Sequence, residues 1–214
     1  MDIYILDTNV FFNMSPGVGL GSSTEEVVKR MTVIIKTSKK EKEAAFYMPP
    51  RIVDEFLSFF EDKKQPFLKE FLSEVVVQSP TIGSVVFSAN VFYQLIEDVR
   101  KRSYRGLAVA EEEIQNAGRR MSGNLVTKKK EFEIAIGPVV KTFRERYRQA
   151  TRTGFLDSVA DLDLIVLSKE LGGYLVTSDE GVVFWGRLFG VKEMPAPVFG
   201  AKMKRYEPLP HRQE

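Results

Sequence analysis

The sequence contains no cysteine and only one histidine, His211, among its 214 residues. The absence of cysteine excludes disulfide bonds, thiolate chemistry and zinc sites built from cysteine. The single histidine lies in a polar tail close to the end of the sequence. A histidine-dependent ribonuclease or a Ser-His-Asp hydrolase therefore has no candidate residue in the core.

The sequence also lacks an apolar run of membrane length and a signal-peptide pattern. These two absences predict a cytoplasmic protein with no membrane partner. A phosphate-binding loop is missing too, because the Gly-rich stretch "GVGLGSS" (17–23) has neither the required lysine nor a preceding strand. Hydrophobic residues make up 43% of the chain, which is enough for a substantial core.

Charge is nearly balanced overall but unevenly distributed. The formal net charge is +2, yet residues 100–152 alone carry 14 basic and six acidic side chains, a local charge of +8. The remainder of the chain therefore carries a formal net charge of −6. A basic segment on an acidic body indicates a polyanionic partner that one part of the molecule contacts.

Short strand patterns occur near both ends of the sequence. Residues 3–6, 44–48 ("AAFYM") and 174–178 ("YLVTS") are apolar and β-prone. The first and the last of these strand patterns each lie near a helical pattern in the sequence, and a strongly apolar helix is predicted over 155–171. Alternating strands and helices predict an α/β fold with a parallel sheet flanked by helices.

The centre of the sequence is helical instead. A long helical stretch is predicted from about Val85, and residues 85–152 are expected to form a projecting helical insertion. Residues 1–84 and 153–200 would then form the α/β domain, and 201–214 a loosely ordered polar tail. Two or three helices are expected in the insertion, with breaks at Gly106, Gly118, Gly123 and the Gly137–Pro138 pair.

Four aspartates stand where a parallel sheet collects its ligands. Asp7 and Asp179 each follow an apolar strand, and ligands bind at the carboxyl ends of such strands. Asp157 and Asp161 are four residues apart, so they would share one face of the predicted helix. The mutual repulsion of four carboxylates would be relieved by Mg²⁺ or Mn²⁺, which prefer oxygen ligands.

Each carboxylate also has a purely structural interpretation. Asp7, Asp157 and Asp179 could each cap a following helix, and Ser178 could replace Asp179 in that role. Asp163 is predicted to point to a different helix face from Asp161, and it is left out of the cluster.

The order and spacing of these acids resemble the PIN-domain nucleases. The resemblance rests on the motif Asp7-Thr8-Asn9 after a strand, on "VDEF" (53–56) early in a helix and on Asp161 placed 18 residues before Asp179. By this resemblance Asp7, Asp157, Asp161 and Asp179 are the catalytic, metal-binding aspartates. Glu55 matches a further acid less securely, because Asp54 beside it could compete.

The basic helical insertion is similar to that of the branch called RNA ligase partner proteins, which includes the homologues of Aquifex RNase P. The resemblance implies a protein-only ribonuclease P that removes the 5′ leader from precursor tRNA. It also implies homodimers that assemble into larger rings, and exposed apolar residues predicted over 85–96 agree with a second protomer. The alternatives are a less selective, toxin-type PIN endoribonuclease and a non-catalytic RNA-binding partner of an RNA ligase.

A stripe of positive charge precedes the aspartate pair in the sequence. Lys141, Arg144, Arg148 and Arg152 recur at intervals that place them on one helix face. Such a stripe can follow a phosphate backbone, so these four residues are the predicted RNA-binding residues. The alternative interpretation is an ordinary solvated helix face.

Overall fold

The computed structural model describes residues 1–12, 20–123, 128–152, 156 and 158–206. Contacts divide the chain into two compact units, Ala89–Phe155 and a larger one formed by Met1–Ser88 with Leu156–Glu214. The larger unit contains a five-stranded sheet in which every neighbouring pair of strands is parallel. The strands are β1 (Asp2–Leu6), β2 (Ala44–Met48), β3 (Val76–Val77), β4 (Tyr174–Thr177) and β5 (Lys192–Pro195).

Helices connect these strands and cover the sheet. Two short 3₁₀ turns, Ile82–Ser84 and Lys204–Tyr206, belong to the same larger unit. The α-helices of the larger unit are α1 (Asn9–Phe12), α2 (Thr24–Lys40), α3 (Pro50–Ser58), α4 (Pro66–Glu74), α7 (Val159–Leu171), α8 (Glu180–Leu188) and α9 (Ala196–Met203). The smaller unit contains α5 (Asn90–Met121) and α6 (Lys129–Arg152). The predicted α/β fold is confirmed. Among the described residues, no helix is both long enough and apolar enough to cross a membrane.

The strand order β3-β2-β1-β4-β5 puts β1 at the centre of the sheet. The chain runs outward from β1 through β2 to β3, and it then returns to the other side of β1 to form β4 and β5. This reversal creates a topological switch point between β1 and β4. Open parallel sheets bind their ligands at the carboxyl ends of the strands beside such a point.

Two glycines allow β4 to lie against β1. Gly172 ends α7 in the left-handed conformation, with φ at 62°, which glycine adopts without steric cost. A Cβ atom on the next residue, Gly173, would lie 2.6 Å from Ile5 and 2.7 Å from Ile3, so these side chains would have to move to accept any other residue there. In this pairing Leu6 lies opposite Val176.

The core of the larger unit is formed by apolar side chains from both faces of the sheet. Tyr4, Ile5 and Leu6 of β1 are completely buried. The ring of Tyr4 packs between Phe46 and Phe199, at centroid distances of 5.3 and 5.5 Å. Because β1 is covered on both faces, the polar residue that follows it is also buried.

Several predicted boundaries are wrong. The long helix starts at Asn90 rather than near Val85, and α7 starts at Val159 rather than at 155. The tail expected to be loosely ordered from 201 is helical as far as Tyr206, with Tyr206 itself buried. The last residues, 207–214, lie outside the described part of the chain.

The expected breaks inside the helical segment are also wrong, except at Gly123. Helix α5 continues through Gly106 and Gly118, and α6 continues through the Gly137–Pro138 pair. The reason at Gly106 is close packing, since a Cβ atom there would come within 2.7 Å of the Tyr147 ring on α6. This glycine permits helix contact instead of ending a helix.

Candidate active site

Asp7 lies directly after the central strand and is almost completely buried, with 3% of its surface exposed. Three neighbouring groups donate hydrogen bonds to its carboxylate. Thr177 Oγ1 and Asn9 Nδ2 donate to Oδ2 at 2.5 and 3.0 Å, and Thr8 Oγ1 lies 3.2 Å from Oδ1. The strand end therefore holds a fixed carboxylate rather than a solvated one.

The electrostatic environment of Asp7 disfavours its charge. Burial raises the pKa of the carboxyl above its ordinary value of 3.8, and the nearby negative charge of Glu55 raises it further. The Thr177 and Thr8 hydroxyl groups act in the opposite direction, since hydrogen bonds to the charged form lower the pKa. A cation beside this carboxylate would relieve the cost of keeping it ionised.

Glu55 reaches the same place from α3. The Thr8 hydroxyl lies 3.2 Å from Glu55 Oε1 and at the same distance from Asp7 Oδ1. A hydroxyl carries a single proton, so Thr8 can donate to only one of these carboxylates at a time. The neighbouring Asp54 makes no hydrogen bond or ion pair within the part of the chain that the structure describes. The geometry thus joins Glu55, and not Asp54, to Asp7.

Asp179 is connected to Asp7 through one side chain, that of Thr177. The buried Thr177 hydroxyl donates to Asp7 and accepts the backbone N–H of Asp179 at 3.0 Å. Asp179 is also the N-cap of α8, with Oδ1 accepting the backbone N–H of Val182 at 2.9 Å. The capping interpretation of Asp179 is therefore correct, and Ser178 does not take that role. The second carboxylate oxygen, Oδ2, is not used by the cap.

Asp161 lies in the first turn of α7. Its backbone N–H donates to the Ser158 hydroxyl at 3.0 Å, which makes Ser158 the N-cap of this helix. Helix α7 begins at Val159, and the prediction that Asp157 and Asp161 share one helix face stays a prediction. Asp157 lies outside the described residues.

Asp163 lies apart from this hydrogen-bonded group. It is buried, and its carboxylate pairs with Arg51 of α3 at 2.6 Å. The structure thus links α7 to the helix that carries Glu55. The sequence did not indicate this ion pair, because the two residues are 112 positions apart.

The carboxylates of the site form a set of hard oxygen donors. Asp7, Glu55 and Asp179 are joined through the hydroxyl groups of Thr8 and Thr177. Within residues 1–12, 20–123, 128–152, 156 and 158–206, no three acidic or histidine side chains are close enough together to hold a metal ion. The four-aspartate metal cluster stays a prediction.

The basic stripe belongs to the smaller unit. Lys141, Arg144, Arg148 and Arg152 are all exposed on α6. The first three, together with Glu133 and Glu145, line an open groove of about 460 Å³ along this helix. Arg146 points elsewhere and pairs with Glu113 of α5 at 2.7 Å. The structure therefore separates a structural arginine from a row of exposed ones.

Comparison with known proteins gives consistent matches along nearly the whole chain. A family model described as a PINc domain ribonuclease matches residues 3–207. A relative named RNA-free ribonuclease P, from Thermodesulfovibrio yellowstonii, is 35% identical over 188 residues, which are 88% of this chain and 86% of that protein. A protein of the same name from Pyrococcus furiosus is 32% identical over 193 residues, 90% of this chain and 88% of the relative.

The parallel sheet, the buried acid at its switch point and the family match define a PIN-domain ribonuclease. A third relative, from Halorhodospira halophila, is also named RNA-free ribonuclease P and is 34% identical over 190 residues, 88% of this chain and 83% of the relative. The chain belongs to the RNA-free ribonuclease P family, whose members are endoribonucleases.

Proposed function

We propose that this protein cleaves the 5′ leader from precursor tRNA in the cytoplasm, as a metal-dependent endoribonuclease. One observation carries the proposal: a buried aspartate at the switch point of the sheet, joined by hydroxyl groups to two further acids, in a chain of the RNA-free ribonuclease P family. Cleavage would leave a 5′-phosphate on the tRNA and a 3′-hydroxyl on the leader.

The chemistry of these donors suits a divalent metal ion, although in the described residues no three acids lie close enough together to hold one. Asp7, Glu55 and Asp179 offer only oxygen atoms, which suits Mg²⁺ with Mn²⁺ as a substitute. Asp161 and Asp157 would complete the ligand set. A bound metal ion of this kind supplies an activated water and stabilises negative charge on the phosphate and the leaving oxygen.

The protein's own polar groups keep the acids in place. Thr177 and Asn9 fix one oxygen of Asp7 through donated hydrogen bonds, so the carboxylate cannot rotate freely. The Thr8 hydroxyl separates Asp7 from Glu55 and can donate to either one. These contacts hold the charged ligands apart at fixed positions before substrate binds, which lowers the cost of ordering the site during catalysis.

The exposed stripe on α6 is the proposed RNA-binding surface. In the described part of the chain, Lys141, Arg144 and Arg148 make no ion pair with an acidic side chain. Their charges are therefore available to phosphate groups, whereas Arg146 is already neutralised by Glu112 and Glu113. Structured RNA is recognised mainly through its shape and backbone, which suits a tRNA precursor.

A salt series tests this surface. Arg144→Ala combined with Arg148→Ala should weaken precursor binding, and the slope of log affinity against log salt should fall by roughly 0.7–0.9 per lost phosphate contact. The matched control combines Lys40→Ala with Lys69→Ala, two exposed lysines of the larger unit. If the two double variants gave the same affinity and slope, the solvated-face interpretation of the stripe would be correct.

The exposed face of α5 supports a homo-oligomer, proposed here as dimers that assemble into a larger ring. Tyr93, Ile96 and Leu107 expose 72%, 60% and 54% of their surfaces. Apolar side chains concentrated on one helix indicate a protein contact rather than scattered exposure. Light scattering on an Ile96→Asp variant tests this, and an unchanged mass from a wild-type oligomer would contradict a role for this face.

Cleavage of 5′-labelled precursor tRNA in Mg²⁺ tests the proposed activity itself. The control substrate is an unstructured RNA of equal length. The proposal expects one leader fragment from the precursor and little cleavage of the control. Similar cleavage of both RNAs at many positions would instead support a toxin-type endoribonuclease, and binding without cleavage would support a partner protein.

A further inference from the structure

Two phenylalanines at the ends of α1 and α3 form a packed, accessible pair, each a few residues along the chain from an acid of the candidate active site. Phe12 ends α1, and Phe59 follows the last residue of α3 as its C-cap. Their ring centroids are 4.1 Å apart and the rings are inclined at 32°. Phe59 nevertheless exposes 57% of its surface. A single exposed phenylalanine needs no explanation. Here, however, the Phe12 ring packs against the Phe59 ring, and the outer side of Phe59 remains accessible.

The pair rests on the rigid core of the larger unit. The Phe12 ring lies 5.8 Å from Phe56 and 5.9 Å from Phe60. Phe56 is completely buried and packs edge-on against Phe11 at 5.0 Å. Because buried rings back it, the accessible ring has a fixed position and orientation before any ligand arrives, and little conformational entropy is lost on binding.

Both rings are close to the acids along their own helices. Helix α1 starts two residues after Asp7, and Phe12 is its last residue. On α3, Phe59 follows Glu55 by four residues, a rise of about 6 Å along the helix axis. The two rings therefore belong to the same chain segments as two of the acids, Asp7 and Glu55.

We propose that Phe59, supported by Phe12, is a stacking platform for one unpaired nucleobase of the RNA substrate next to the cleavage position. This inference rests on the proposed function. Single-stranded RNA is commonly held by stacking of splayed bases on aromatic side chains, whereas bases inside a duplex cannot be reached in this way. A precursor leader supplies unpaired bases at the position where cleavage would occur.

Size favours a nucleobase over a protein partner. A stable protein interface needs about 800 Å² from each partner, whereas this surface consists essentially of one accessible ring on a second one. One ring matches one base in area. The two rings carry no charge, so they would contribute stacking and leave phosphate contacts to other residues.

Fluorescence of a base analogue tests the platform. Precursor tRNA with 2-aminopurine at single leader positions next to the cleavage site is titrated with protein under conditions that prevent turnover. Wild-type protein should change the fluorescence of at least one leader position on binding. Phe59→Ala should lose this change and weaken leader-dependent binding by roughly 5- to 150-fold, and Phe59→Trp should restore both. Val33→Ala, which shortens an exposed apolar residue on α2, is the matched control and should behave as wild type.

An abasic substrate makes the test independent of folding. Removing the base at the responsive position should weaken wild-type binding but should not weaken Phe59→Ala further, because both changes remove the same interaction. Additive losses would overturn the proposal, as would a Phe59→Ala protein that binds and cleaves like wild type. A change in oligomeric mass without a change in RNA binding would assign the ring to a protein contact. If wild-type protein did not cleave the precursor at all, the proposed function would fail instead.

Discussion

Thr177→Val removes the hydroxyl that connects the two strand-end aspartates. Thr177 is 1% exposed, and its hydroxyl both donates to Asp7 and accepts from the backbone N–H of Asp179. Valine has nearly the same shape but can make neither contact. The variant therefore probes the connection between the acids without opening a cavity.

The expected cost follows from the two contacts. A hydrogen bond to a charged group contributes about 1.5–3 kcal/mol, and an orphaned, partly buried donor costs about 1–3 kcal/mol. Because the two effects share one side chain and are not additive, we expect a loss of about 2–4 kcal/mol in the free energy of unfolding. For a chain of this size the melting temperature should fall by roughly 5–15 °C. Cleavage should fall as well, since both Asp7 and Asp179 lose a fixed partner.

Urea denaturation and single-turnover cleavage measure the two effects. Thr32→Val is the matched control, because Thr32 is equally buried but its hydroxyl donates only to the Val28 carbonyl within α2, at 2.9 Å. Thr177→Ser retains the hydroxyl and should retain most of the activity. The reasoning is refuted if Thr177→Val unfolds at the same urea concentration as Thr32→Val and cleaves RNA at the wild-type rate.

Three further predictions concern the acids. Asp7→Asn should abolish cleavage and keep the fold, because asparagine can accept hydrogen bonds from Asn9 and Thr177 and donate one to Thr8. Circular dichroism measures the fold and a turnover assay measures cleavage. Full activity of this variant would exclude Asp7 from the site. Burial raises the pKa of Asp7, so the folded metal-free protein holds this proton to higher pH than the unfolded chain. Its stability should therefore fall as pH rises from about 4 through the raised folded-state pKa, and denaturation of Asp7→Asn across the same pH series should lack this fall. EDTA should stop cleavage and Mg²⁺ or Mn²⁺ should restore it; undiminished activity after exhaustive chelation would contradict a metal-dependent reaction.

A fifth prediction concerns the cap that positions Asp161. Ser158→Ala should cost about 1 kcal/mol of stability, because the first turn of α7 loses its side-chain acceptor. If Asp161 acts in catalysis, the cleavage rate of Ser158→Ala should fall by more than the loss of folded protein accounts for. Ser158→Asp should recover much of the stability and much of the cleavage rate. Equal cleavage by Ser158→Ala and wild type would remove Asp161 from the proposed ligand set.

The strands and the acids that follow them could be predicted from local sequence. Buried strands leave an uninterrupted apolar pattern, and the residues 44–48 predicted as a strand agree with β2. The capping-box spacing of Ser23 and Glu26 is a local signal as well, and in the structure the Ser23 hydroxyl accepts the Glu26 backbone N–H at the start of α2. The two-residue strand β3 gave no such signal, because its two valines are exposed and too few to form a pattern.

Contacts between distant residues could not be predicted in this way. The hydroxyl of Thr177 reaches Asp7 across 170 positions, and nothing in the sequence distinguishes that threonine from any other at a strand end. The sequence predicts a helix break at Gly106, because it does not show that the Tyr147 ring lies against this residue. Local patterns thus place Asp7 and Asp179 after strands, while the polar groups that hold them depend on the tertiary fold.

Mapping the cleavage site of precursor tRNA at nucleotide resolution tests the central claim most directly. Wild-type protein in Mg²⁺ should produce a single new 5′ end at the first nucleotide of the mature tRNA, and that end should carry a phosphate. Asp7→Asn protein at the same concentration should produce none. Scattered ends within the leader, a 5′-hydroxyl product, or the same product from Asp7→Asn would contradict the account.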